Sequence, residues 1–118
     1  MADNREKGAY GETLALKYLE QKGYVLIARN YRIGRDEIDL LLRDKEMTVF
    51  VEVKARSSTA YGLACEAVNK RKQSRMTRAA LAYLQTQPVE TSVRFDVAEV
   101  DLNTGMVRHI ENAFMADA

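Results

Sequence analysis

The stretch EIDLLLRDKEMTVFVEVKAR, residues 37–56, decides how the chain folds. EIDLLL, from Glu37 to Leu42, and MTVFVEVKA, from Met47 to Ala55, are short runs rich in branched and aromatic side chains, separated by the charged RDKE, a connection of hairpin length. Residues two apart on a strand share a face, so Glu52 and Lys54 project together. Hairpin parity then decides whether Asp39 joins them. An even loop of two or four residues sets Leu42 opposite Met47, Asp39 opposite Phe50 and Glu37 opposite Glu52. Asp39 then lies diagonally from Glu52 on the same face, at a Cβ separation of roughly 7 Å. A three-residue loop or a bulge would shift this register.

Two carboxylates held by strands suit a hard cation that keeps several waters, which is how Mg²⁺ or Mn²⁺ binds, and they do not suit structural zinc. Lys54 beside such an ion could orient or deprotonate an attacking water, or stabilise charge on a phosphate. Glu-x-Lys alone arises by chance in roughly one chain of this length in three, and a solvated strand face with cross-strand ion pairs would use the same residues. The metal reading gains from agreement with an independent element, the first helix.

That helix is expected from about Arg5 to Gln21, with Gly23 as its stop. Gly8, Glu12, Ala15, Leu16 and Leu19 fall on one stripe, so Glu12 points along the face that meets the core, where it could serve as a further ligand or act through a metal-bound water. Gly8, one turn earlier, would permit a close approach to another element. YVLIARNY, Tyr24 to Tyr31, reads as a strand, and Arg32 to Arg35, with Gly34, as a turn. Ser57 to Asn69 reads mostly as loop. A second helix is expected from about Lys70 to Gln85, placing Met76, Ala79, Ala80, Tyr83 and Leu84 on one face, with Pro88 marking its exit. SVRFDVAEVD, Ser92 to Asp101, forms a fourth strand. Asn103-Thr104-Gly105 turns towards a short fifth, MVRHI. The order is helix, three strands, helix, one or two strands: an α/β domain with a mixed sheet, spanning residues 1–118 as one unit.

Net charge is only +1, yet KRKQSRMTR, Lys70 to Arg78, carries five basic residues and no acid. Lys70, Arg71, Lys72, Gln73, Arg75 and Arg78 are therefore the candidate nucleic-acid contacts. Arg71, Arg75 and Arg78 line the helix face away from the core, while Lys72 and Gln73 flank the core-facing stripe and could lean towards the metal site. The arginines would look the same as the solvated face of an amphipathic helix.

The 118 residues, 47% hydrophobic and 30% charged with a single proline, have the composition of a compact soluble domain. The polar start MADNREKGAYGE lacks the apolar core of a secretory signal, and no stretch reaches the ~18 apolar residues of a membrane span, so a cytoplasmic protein is expected. A single cysteine, Cys65, excludes an internal disulfide and fits a reducing compartment. A nucleophilic Cys65 paired with His109, the only histidine, is weakly supported beside two structural residues.

Asp39, followed thirteen positions later by Glu52-Val53-Lys54, resembles the PD-(D/E)XK pattern of the restriction-endonuclease-like superfamily. The segments GAYGETLALKYLEQKGY, ARNYR, EIDLLL, FVEVKARS and RFDVAEV resemble more closely the YraN-like family of predicted endonucleases, itself similar to archaeal Holliday-junction resolvases. The resemblance implies an αβββαβ core, a divalent metal held by Asp39 and Glu52, a catalytic Lys54, and Glu12 as the first-helix acid. Asp36 stands where that family commonly has glycine. The function implied is metal-dependent hydrolysis of DNA, including branched or structured DNA. A resolvase-like enzyme cutting two strands symmetrically would be a homodimer. The alternative is a catalytically silent nucleic-acid-binding module on the same fold. The quartet Glu12, Asp39, Glu52 and Lys54 favours the enzyme, because buried carboxylates repel phosphate.

Overall fold

The computed structural model describes residues 4–57 and 69–115. Their order is α1 (Asn4–Gln21), β1 (Val25–Ile33), β2 (Asp36–Asp44), β3 (Met47–Arg56), α2 (Lys70–Gln85), β4 (Val93–Asp101) and β5 (Val107–Phe114). This is the αβββαβ order of a restriction-endonuclease-like core with one further strand. Cys65 and most of the segment read as loop lie outside the described residues.

The five strands form one mixed sheet in the order β1-β2-β3-β4-β5. β3 and β4 run parallel, joined by the crossover that contains α2, and the other neighbours are antiparallel. α1 covers one face, where Ala15 and Leu19 bury against Leu40, Leu42, Val49, Val51, Ala98 and Val100. α2 covers the other, where Met76, Ala79, Ala80 and Tyr83 pack on Ile38, Leu41, Phe50 and Phe95. With helices on both faces, the central strands are apolar on both sides, which is why LLL and VFV interrupt simple alternation. Asn69 caps α2 by accepting from the Lys72 N–H at 2.9 Å.

Two expectations are corrected. The β2–β3 turn is the two residues Lys45-Glu46, so Arg43 and Asp44 still pair, with Thr48 and Met47, and Leu42 faces Val49 instead of Met47. The register slides by two residues, an even step that keeps the paired residues, 40–44 and 47–51, on their expected faces. The close helix approach is made by Gly11 and not Gly8. A Cβ on Gly11 would stand 2.5 Å from the Ala55 Cβ, whereas one on Gly8 would meet nothing.

The feature that positions the site is a splay between β2 and β3. Their pairing ends at Leu40 and Val51, while β3 continues to Arg56 beside β4 and β2 continues back to Asp36 beside β1. Between the Arg29–Leu40 and Tyr31–Ile38 pairs, Asn30 adopts a left-handed φ of 52°. β2 is kinked at the same level, since Ile38 and Leu41, three residues apart, both bury on the α2 side. Asp39 sits at this kink.

Candidate active site

The opening left by the splay is a cleft of about 620 Å³ lined by Glu12, Asp39, Glu52, Val53, Lys54 and, at its rim, Lys7. α1 closes one side through the Gly11–Ala55 approach. The expected quartet therefore lines one cleft, although its members are not equivalent. Asp39 Oδ2 accepts a hydrogen bond from the Val53 N–H at 2.9 Å, spanning the gap where strand pairing has stopped. Burial first, then the negative charge of Glu52, push the Asp39 carboxyl up to about 7, against the opposing pull of the Val53 N–H. Glu52 thus disfavours ionisation of the Asp39 carboxyl beside it.

Glu52 is only 6% exposed. Its Oε1 lies 3.0 Å from Lys72 Nζ and 3.8 Å from Lys54 Nζ. Lys72 is therefore a member of the basic helix that reaches a carboxylate of the cleft. Glu12 is drawn sideways: Arg29 Nε donates to its Oε1 at 3.3 Å, while the other end of the guanidinium bonds the Ala9 carbonyl at 2.6 Å. Among the described residues no group of three or more histidine, cysteine, aspartate or glutamate side chains stands assembled as a metal cage. The donor set nonetheless fits Mg²⁺ or Mn²⁺, because such ions use one or two carboxylates and complete their shell with water and substrate oxygens. Mutually repelling Asp39 and Glu52 are a donor pair of that kind.

A second cleft, about 730 Å³, lies on the α2 side and is lined by Arg35, Arg71, Lys72, Ser74, Arg75 and Arg78, with Asp36 and Glu37 at its edge. Lys72 borders this cleft while bonding a residue of the first, so the two are adjacent. Arg71, Arg75 and Arg78 are exposed and Gln73 is half-buried. Arg78 grips Asp36 in a two-pronged bond of 2.8 and 2.7 Å, which holds the Asp36 carboxyl below the usual range. The residue in place of the common glycine is therefore a partner for the basic helix. Arg35 is a contributor that the sequence does not signal, because a turn arginine carries no periodicity.

Both ring nitrogens of His109 have partners among the described residues. Its Nε2 lies 2.7 Å from Oδ2 of Asp96, and its Nδ1 lies 2.8 Å from Lys22 Nζ. Asp96 is fully buried. Burial opposes its charge, but bonds from His109, from both prongs of Arg94 and from the Asn112 N–H outweigh that and hold its carboxyl below the ordinary range. Arg94 also donates to Tyr24 and reaches Asp44 at 3.2 Å. This network ties Tyr24, just before β1, to β2, β4 and β5.

Residues 11–100 match the model of the family described as "Uncharacterised protein family UPF0102". The chain belongs to this family. A UPF0102 protein of Clostridium acetobutylicum is 42% identical over 116 residues, covering 94% of this chain and 95% of the relative. One of Clostridium botulinum is 39% identical over 117 residues, with the same coverage. The YraN-like resemblance of the motifs and this UPF0102 membership are the same assignment. Among solved structures, the fdxN element excision controlling factor protein of Anabaena variabilis aligns at a TM-score of 0.46 and 11% identity, covering 85% of this chain and 97% of that one. The Pyrococcus furiosus SfsA structure in complex with Ca²⁺ aligns at 0.33 and 18% identity, covering 92% and 64%. No helix among the described residues is long and apolar enough to cross a membrane.

Proposed function

We propose that this UPF0102 protein is a metal-dependent endonuclease that hydrolyses phosphodiester bonds in DNA, branched or otherwise structured DNA included, in the cytoplasm. The observation that carries the reading is the placement of Asp39 and Glu52 with Lys54 in one cleft, at a break in strand pairing that the Asp39 carboxylate itself bridges. Burying two acids side by side costs stability, and a cation recovers it.

A bound Mg²⁺ or Mn²⁺ would polarise the scissile phosphate and lower the pKa of its water. Asp39 and Glu52 would hold the ion. Glu12, held by Arg29, stands at the cleft wall where a carboxylate can orient water. Lys54, next but one along β3 from Glu52 and lining the same cleft, would stabilise charge on the phosphate or move a proton from the attacking water. The first turn of α2 contains no acid to complement the helix dipole, and its basic residues add to the positive potential there. Placing Lys70, Arg71 and Lys72 at that end weakens the helix, a cost that an anionic ligand would offset. Arg35, Arg71 and Arg75 would carry the flanking phosphates along the second cleft.

The Lys72–Glu52 bond favours a second reading, a silent DNA-binding module in which a lysine supplies the charge a cation would otherwise bring. Cleavage assays with Mg²⁺ or Mn²⁺ over linear, flapped and four-way DNA and structured RNA separate the two. The wild-type protein should cut DNA. Lys54→Ala should lose at least ~100-fold in rate, the order of an acid–base group's contribution, while binding Mn²⁺ and melting like the wild type. Cleavage by Lys54→Ala at the wild-type rate would refute the catalytic lysine, and DNA binding without any cleavage would support the silent module.

A further inference from the structure

A third pocket, about 440 Å³, opens beside the candidate active site and is lined by Glu6, Lys7, Tyr10, Ser57, Leu102 and Asn103. Lys7, Ser57 and Leu102 line the active-site cleft as well, so the two spaces adjoin. Its volume falls in the ~300–1,000 Å³ range of small-ligand sites. Tyr10 is 52% exposed on α1, with no ring contact to another described aromatic. The opposite wall is fixed. The Leu102 N–H donates to the Arg56 carbonyl at 2.8 Å, Asn103 Nδ2 donates to the Ser57 carbonyl at 2.6 Å, and Asp101 Oδ1 accepts from the Asn103 N–H at 2.9 Å.

We propose that this pocket takes an unpaired DNA base from the nucleotide next to the scissile phosphate, stacked on Tyr10 over Leu102. The inference rests on the nuclease reading and names its substrate class. A flat aromatic face, an apolar floor and a few amide and hydroxyl groups match what a nucleobase presents, and a stacking platform accepts any base. Lys7, shared by the pocket and the cleft, is placed to meet the phosphate that joins the stacked nucleotide to the cut. A base inside a duplex has both faces covered by its neighbours and cannot enter. The site therefore selects DNA with a splayed nucleotide, as in flaps, junctions or single strands, over continuous duplex.

The test uses Lys54→Ala protein, so that DNA is bound without being cut, and two DNAs of matched sequence: a blunt duplex, and a duplex with a single-stranded flap carrying a fluorescent aminopurine at the fork. The flap should bind more tightly and its aminopurine should be quenched. Adding Tyr10→Ala should weaken flap binding by at least about tenfold and abolish the quenching, leaving duplex affinity and melting temperature unchanged, whereas Tyr10→Phe should behave like the parent. An unchanged flap-to-duplex ratio with quenching intact in Tyr10→Ala overturns the pocket and leaves the nuclease reading standing. Failure of the parent protein to bind either DNA overturns both.

Discussion

Lys72 Nζ lies 3.0 Å from Glu52 Oε1, which puts a residue of the basic helix in direct contact with a candidate metal-binding carboxylate. The bond neutralises one of two crowded acids without an ion. It also places the same ammonium at the border of the basic cleft.

Replacing Lys72 by Met should therefore tighten Mn²⁺ binding, because the metal no longer competes with a resident cation. The pair is partly solvent-exposed, so the gain should be modest, about fivefold, or ~1 kcal/mol. Isothermal titration in the absence of DNA measures it. An affinity that falls on removing Lys72 would show that the lysine does not compete for Glu52.

The raised Asp39 carboxyl gives metal binding and stability opposite dependences on pH. Its folded-state value of about 7 exceeds the ordinary 3.8, so between those limits the native protein binds more protons than the unfolded chain, and metal-free stability falls as pH rises. Metal requires the ionised form, so affinity should climb from about pH 5 to pH 7 and level off above, with proton release on binding below pH 7. Asp39→Asn should abolish binding yet melt higher than the wild type at about pH 8, by on the order of 2 kcal/mol. A variant that melts lower there would contradict the cost assigned to the buried charge.

Arg71 and Arg75 are exposed in the basic cleft, whereas Arg78 is engaged by Asp36. Substituting Arg71 and Arg75 by Ala should weaken duplex binding and flatten the slope of log K against log salt by roughly 0.9 for each phosphate that is no longer neutralised. Arg78→Ala alone should change the slope less. Binding titrations at several salt concentrations report both, and an unaltered slope in the double variant would move the DNA path off α2.

Gly11 has no room for a side chain against Ala55. Gly11→Ala must lift α1 from β3, with a loss of ~1–3 kcal/mol despite the better helix propensity of alanine. Chemical denaturation measures the loss, and Gly8→Ala, in open space, should instead be neutral or stabilising.

How far residues 1–118 announce this structure varies with the range of the interactions involved. α2 is legible to its ends, Lys70 and Gln85, because a local cap, Asn69, and a local period set it. Parity sets Glu52 and Lys54 on one face of β3, but Asp39 lies beyond the last β2–β3 pair at a kink that alternation does not show, and the register is not legible either, because Arg43 and Asp44 look like loop but pair. Gly11 and Gly8 are both small residues on α1. Only the reach of β3 past the splay distinguishes them, and that is a tertiary fact. The Asp96, Arg94 and His109 network is invisible in the sequence for the same reason. Charged residues alternating along a strand read as solvent-facing until the elements that bring their partners are in place, and one of them, Asp96, has no exposed surface at all.

The hydrogen bond from the Val53 N–H to Asp39 has a consequence for solubility. Where β2 leaves β3, the freed flank of β3 is an internal sheet edge, with backbone donors and acceptors spaced to accept a foreign strand. Asp39 fills one of those positions with a side chain that cannot extend the ladder. It thereby guards against edge-to-edge association. Loss of that carboxylate should tend to turn the cleft into a docking edge for other copies of the chain, so the acid that would hold the metal also helps keep the metal-free protein from aggregating.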